Sequence, residues 1–280
     1  MADTANVGWL KRDPRGIGVP ELIAGTTLLI LLTALLGVMT KAAGAGLACE
    51  ARWPVCDGGF LNLLPATVPS FFEWIHRVVA AVTGFAVLGA AIAAWRTETP
   101  RGARWAVTIG LVLLPIQVVI GRETVLAYTT PILEAHFWLA FAIFASFVAA
   151  SALTWKGTLT PRRLRNAALA GAGLLPLQLL LHPPVVTSYT PTVQTIQYGV
   201  TFLVFAIALT VALAGRGSLS KRQGLALLVL PVLHPLLVSA SRQMLAPSTE
   251  LVAAYALLMV AVLVGLLAAG VAFHRTLDER

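Results

Sequence analysis

Charge is what this sequence has least of. Only 11% of its 280 residues are Asp, Glu, Lys or Arg, while 58% are hydrophobic, and mean hydropathy is +0.84. Soluble domains carry about a quarter charged residues, so this chain cannot coat a water-facing surface. Cysteine is nearly missing as well. Two residues, with no histidine nearby, are too few to cage a metal ion. A cleavable signal is also not apparent: the first apolar run begins near Val19, is long enough to span, and lacks a small-residue cleavage site.

What is present is a series of apolar runs. Eight of them reach spanning length, roughly at 19–40, 72–95, 104–121, 132–154, 167–183, 192–214, 224–241 and 250–273. The expected fold is therefore all-α: a polytopic membrane protein of eight transmembrane helices, in lipid. The fifth and seventh runs are short and contain Pro176, Pro183, Pro231 and Pro235, which predicts kinks.

The net charge of +8 does not point to nucleic acid, because the basic residues sit in short clusters between apolar runs. Fifteen of the twenty fall on one side: Lys11, Arg12, Arg15, Arg96, Arg101, Arg104, Lys156, Arg162, Arg163, Arg165, Arg216, Lys221, Arg222, Arg275 and Arg280. Lys41, Arg52, Arg77, Arg122 and Arg242 lie on or near the other. The positive-inside rule then makes both termini cytoplasmic and puts loop 41–71 on the outer face of the plasma membrane.

A weaker internal repeat aligns Glu73-Trp74-Ile75-His76-Arg77-Val78-Val79 with Gln194-Thr195-Ile196-Gln197-Tyr198-Gly199-Val200. Leu114-Pro115-Ile116 matches Leu230-Pro231-Val232, and Glu134 falls opposite Glu250. The repeat predicts two pseudo-symmetric four-helix bundles. The segments are a cytoplasmic 1–18, an N-terminal half 19–154, a cytoplasmic linker 155–166, a C-terminal half 167–273 and a cytoplasmic tail 274–280. Shared composition of any two membrane helices is the alternative account of the same match.

Chemistry concentrates at the outer ends of the first helices. Cys49 and Cys56 flank Glu50-Ala51-Arg52-Trp53-Pro54-Val55 on the oxidising side, either as a ring-closing disulfide or as two free thiols. A bridge there is structural, or exposed enough to exchange with a thiol–disulfide partner. Glu73, His76 and Arg77 share one helical face. Three ionisable groups within one turn are costly in a membrane helix unless they face a site, or unless they snorkel into the headgroups. His76 can offer an imidazole nitrogen to haem iron, Arg77 can pair with a propionate, and Glu73 can relay protons or stabilise developing positive charge.

His136, in Glu134-Ala135-His136-Phe137-Trp138, lies at nearly the same depth on the fourth helix. Two imidazoles at matched depth are what a six-coordinate haem needs. On the third helix Gln117 and Gly121 share a face, and Gly121 permits close approach of either a flat macrocycle or another helix.

Together these motifs resemble the haem A synthase family. They are two cysteines seven positions apart around Trp-Pro, Glu-x-x-His-Arg, Gln-x-x-x-Gly and Ala-His, in that order over residues 19–154. Beyond, over 167–273, the likeness rests on helix count and the repeat. The resemblance implies a membrane oxidoreductase that converts the C8 methyl of haem O to the formyl group of haem A, for terminal oxidase biogenesis. It implies that His76 and His136 are the axial ligands, that Glu73 is the essential carboxylate, and that Cys49 and Cys56 are disulfide-bonded. Its implied partners are haem O, haem O synthase and the terminal oxidase assembly machinery, with a homo-oligomer also open.

One departure stands out. Eight-helix members hold a haem B between histidines of helices six and eight, where this chain has Gln197 and Val252-Ala253-Ala254-Tyr255. His182 and His234, both in Leu-His-Pro, are the alternative ligands of a rearranged site, or else serve polar needs at proline-broken helices. His274 reads as solvated. The departure favours a second reading: a non-catalytic haem-binding assembly or carrier protein that keeps only the first site. A transporter ranks last, because the broken helices carry no acid away from the outer face.

Overall fold

A computed structural model describes residues 18–50, 52–56, 64–183, 185–243 and 248–278. Among the described residues the regular structure is helical: α1 (Val19–Ala42), α2 (Val68–Arg96), α3 (Arg101–Leu126), α4 (Thr130–Thr154), α5 (Pro161–Leu180), α6 (Pro191–Gly215), α7 (Lys221–Arg242) and α8 (Thr249–Asp278). Seven of these, all but α5, are long and apolar enough to cross a membrane. α5 opens with Arg162, Arg163 and Arg165 and ends before His182. The run expected at 167–183 therefore begins earlier and stops at Leu180.

Proline and threonine set the helix starts. Pro20, Pro69, Pro131, Pro161 and Pro191 lie in first turns, where a missing N–H costs nothing and a fixed φ favours the helix. Thr160 and Thr190 cap α5 and α6 by accepting from Arg163 and Val193 N–H groups. Thr67 and Ser70 make a reciprocal capping box at α2. Pro231 cannot donate to the carbonyl of Leu227, and α7 carries a 3-10 turn over Leu227–Val229 just ahead of it. Pro115 and Pro176 lie inside α3 and α5.

The helices α1 to α4 pack in a ring in chain order, α4 closing onto α1, and α5 to α8 form a second ring, α8 closing onto α5. Each ring has its own apolar core. At one end, the indole of Trp155 donates to the Pro20 carbonyl at 3.4 Å, tying the end of α4 to the start of α1. Large side chains such as Leu28, Phe85, Val112 and Leu257 point outward, as lipid-facing helices require.

The rings meet where α6 lies against α1 and α4. Phe137, Phe141 and Phe144 of α4 interleave with Tyr198, Phe202 and Phe205 of α6, both triplets following i, i+4, i+7. Phe141 and Phe205 have ring centroids 4.5 Å apart. Such tilted and edge-on pairs add about 0.5–1.5 kcal/mol each beyond buried area. This seam fixes α4, and with it His136, against the second ring.

Candidate haem site at the disulfide end

The loop from α1 to α2 carries the bridge Cys49–Cys56, with Cα atoms 4.5 Å apart, so the free-thiol alternative falls. Both cysteines are buried. Beneath them, Glu73 of α2 is only 3% exposed. One of its oxygens accepts from the Cys49 backbone N–H at 3.1 Å, and the other accepts from Arg77, one turn on. The remaining donors of Arg77 reach the loop: Nη1 donates to the carbonyls of Arg52 at 2.8 Å, Val55 at 2.8 Å and Pro54 at 3.3 Å. Arg77 thus holds the loop down on α2, its guanidinium donating both to Glu73 and to backbone. Residues 57–63 of the expected loop 41–71 lie outside the described residues.

His76 and His136 stand about two turns inside the starts of α2 and α4, half-buried and within electrostatic reach of each other. Each is seated against a glycine of the helix beside it. A Cβ at Gly37 of α1 would lie 3.0 Å from the His76 ring, and one at Gly121 of α3 would lie 2.9 Å from the His136 ring. His76 Nδ1 is 3.1 Å from the Thr33 carbonyl. Donation to that carbonyl sets the tautomer and leaves Nε2 with a lone pair, the arrangement that orients metal-ligating histidines. Gln117 Nε2 lies 3.4 Å from His136 Nε2, while His136 Nδ1 and Gln117 Oε1 are buried without a partner among the described residues. Buried polar atoms are rarely orphaned, so these two point to a group that would complete them.

These residues fit a haem held through two imidazoles. Among the described residues no three His, Cys, Asp or Glu side chains converge as a cage for a bare metal ion.

Three neighbours carried no role in the sequence reading. Gly37 is one. Tyr128, in the α3–α4 loop, packs on Gly46; burial first, and then the charge of Glu73, raise its phenol pKa above the ordinary value. Arg242, at the end of α7, pairs with Glu134, and its guanidinium lies 3.8 Å from the centroid of Phe137. A charged residue closing an apolar helix was the available signal for Arg242. Gly37 gave none, since glycine is common in membrane helices.

The second ring holds no comparable pair. Gln197 stands on α6 where the repeat puts a counterpart to His76, is 2% exposed, and accepts a hydrogen bond from Tyr189. His182, in the turn after α5, contacts Ser241 Oγ through Nε2 at 2.8 Å and lies against the Tyr255 ring. His234 is fully buried in α7 with both ring nitrogens unpartnered among the described residues, its ring 5.8 Å from that of Phe205. Glu250, the repeat partner of Glu134, is exposed in the first turn of α8.

No protein-family model matches the chain. A stretch of 134 residues, 48% of the chain, is 41% identical to a Protoheme IX farnesyltransferase of Halobacterium salinarum, of which it covers 28%. A Heme A synthase of Bacillus licheniformis is 29% identical over 149 residues, 52% of this chain and 47% of that protein. A Heme A synthase of Geobacillus kaustophilus is 27% identical over 137 residues, 48% of this chain and 42% of that protein. The chain spans about half the length of the Heme A synthases it matches, and less of the farnesyltransferase. These likenesses support the family that the sequence motifs resemble.

Proposed function

We propose, from its likeness to the haem A synthase family, that this chain is a multi-pass oxidoreductase of the plasma membrane that converts the C8 methyl of haem O to the formyl group of haem A. In this reading all eight helices span, both termini are cytoplasmic, the disulfide loop lies on the outer face, and the chain divides into halves 19–154 and 167–273. The observation that carries it is the matched pair His76 and His136, each seated on a glycine, with the Nε2 lone pair of His76 uncommitted, beside the buried carboxylate of Glu73.

His76 and His136 hold the haem iron in this scheme. Gln117 orients His136, and Gly121 gives it room. Oxidation of a methyl to an aldehyde passes four electrons in two pairs to an external electron acceptor, takes one oxygen from water at each oxidation, and ends when the aldehyde hydrate, CH(OH)2, loses one water. Positive charge develops at the methyl carbon on the way. A fixed carboxylate in a dry site stabilises such charge far better than one in water. Glu73 is suited to this: Arg77 and the Cys49 N–H hold its position, and the bridged loop covers it. The farnesyltransferase relatives support a place next to the step that attaches a farnesyl group to protohaem, and so a haem O synthase and the oxidase assembly machinery as partners.

Glu73→Ala, expressed with a haem O source, should retain bound haem and yield no haem A by extraction and chromatography. Haem A accumulating in that variant would sink the role given to Glu73. One observation favours the non-catalytic carrier as a second reading: Gln197 occupies the place of an imidazole in the second ring and is itself hydrogen-bonded by Tyr189. Wild-type protein that binds haem O and never forms the aldehyde decides for the carrier.

A further inference from the structure

A haem carries two carboxylates on one edge, and the cation first expected to meet them, Arg77, also holds the disulfide loop. Arg77 donates to Glu73 and to three loop carbonyls. Of the other cations at the disulfide end, Arg52 pairs with Glu50 and Arg122 with Glu123, while Lys41 and Arg242 stand next to residues that flank the imidazoles. Lys41 lies on α1 one turn beyond Gly37, the glycine that seats His76, so it stands on that face and nearer the helix end. The residue is exposed, and its ammonium makes no hydrogen bond or ion pair among the described residues.

Arg242 approaches from the second ring. Its guanidinium lies over Phe137, the residue after His136, and donates from Nε and Nη2 to Glu134 and from Nη1 to the Tyr198 hydroxyl at 3.0 Å. A guanidinium has five N–H groups, so donors remain. Lys41, Arg242 and Glu134 interact electrostatically, and their charges sum to one net positive. Glu134 is the carboxylate that acts on both.

We infer that Lys41 and Arg242 form the carboxylate-binding end of the site and take the propionate edge of a haem held by His76 and His136. This rests on the haem-binding reading above and adds to it the groups that orient the macrocycle. A flat, nearly symmetric ring can enter a two-imidazole site in several rotations. Cations at one end select the rotation that turns its carboxylates to the outer edge, and so decide which ring methyl comes to lie near Glu73. Arg242 makes that selection depend on the second ring, which supplies no imidazole of its own in the repeat position.

The test compares iron protoporphyrin IX with its dimethyl ester, in which both carboxylates are blocked, binding to full-length protein in detergent. Soret titrations on wild type, Lys41→Gln and Lys41→Arg give the affinities. Wild type should favour the acid over the ester. Lys41→Gln should lose about three- to tenfold for the acid and nothing for the ester, and Lys41→Arg should restore the preference. Equal binding of acid and ester by wild type, or an equal loss for both in Lys41→Gln, would overturn the inference while the bis-imidazole spectrum still stands. Absence of that spectrum in wild type, or its persistence in His76→Ala, would instead remove the haem-binding reading and this inference with it.

Discussion

Arg242 reaches across the seam between the two rings and takes Glu134 of α4 with two nitrogens, Nε donating to Oε2 at 2.8 Å and Nη2 donating to Oε1. The fork geometry matches a carboxylate, and charge-assisted pairs of this kind are among the stronger hydrogen bonds. The Arg242 side chain is 9% exposed and that of Glu134 is 37% exposed. The pair therefore acts as a clamp, with the cation buried over Phe137 and the carboxylate partly screened.

Removing Glu134 leaves that cation without its partner. Glu134→Gln should lower stability by about 1–3 kcal/mol, less than a fully buried pair because the carboxylate side is screened. Thermal unfolding in detergent checks this. Arg242→Met in the Glu134→Gln background should recover part of the loss, since two apolar-compatible groups leave no buried charge. An additive double-mutant cycle would show that the two residues do not act together.

The glycines beside the imidazoles give a second expectation. Gly121→Ala places a methyl 2.9 Å from His136 Cε1, closer than carbon atoms pack, so the ring must move. Haem occupancy should fall, read as the Soret-to-protein absorbance ratio, while His136 itself is intact. Gly89→Ala on α2 is the control, because nothing lies within 4 Å of its added methyl. That variant should keep its haem and gain a little helix stability.

Reduction of the Cys49–Cys56 bridge opens a short ring with a sequence separation of 7. Chain entropy assigns such a ring about 2–3 kcal/mol. The loop carbonyls of Arg52, Pro54 and Val55 then lose the fixed geometry that Arg77 reads. A reductant, or Cys49→Ser with Cys56→Ser, should lower the unfolding temperature, and Arg77→Gln should remove only the part of that difference owed to the loop carbonyls, leaving the chain-entropy part.

Tyr128 offers a pH readout of Glu73. Burial first, then the nearby carboxylate, raises its phenol pKa above the ordinary value. The unfolded chain therefore loses this proton before the folded chain does as pH climbs past about 10. The contribution to stability is complete below that pH and is lost as pH rises through the folded value. Glu73→Gln should move the Tyr128 transition downward, measured by ultraviolet difference titration against Tyr128→Phe. An unchanged transition would separate the two residues.

Much of this was legible in the chain itself. Hydropathy located the helices to within a few residues, save that α5 starts at Pro161 and stops short of His182, because an apolar run does not mark where a proline-opened helix begins. Helical spacing put Glu73 and Arg77 on one face, and they pair there. The two cysteines are bridged. Local periodicity decides such matters, since each involves residues within a turn or a short loop.

Contacts between distant helices were not legible. That Gly37 seats His76, that Arg77 spends its donors on the loop, and that Arg242 clamps Glu134 over 108 positions of sequence are consequences of packing. The sequence alone determined which helices exist and how far inside them the histidines stand, because those follow from the apolar runs and the prolines that open them. Which side chains meet across the rings was decided only by the tertiary structure, where the interleaved rings of α4 and α6 set the rotation of each helix and so the direction of every polar group at the site.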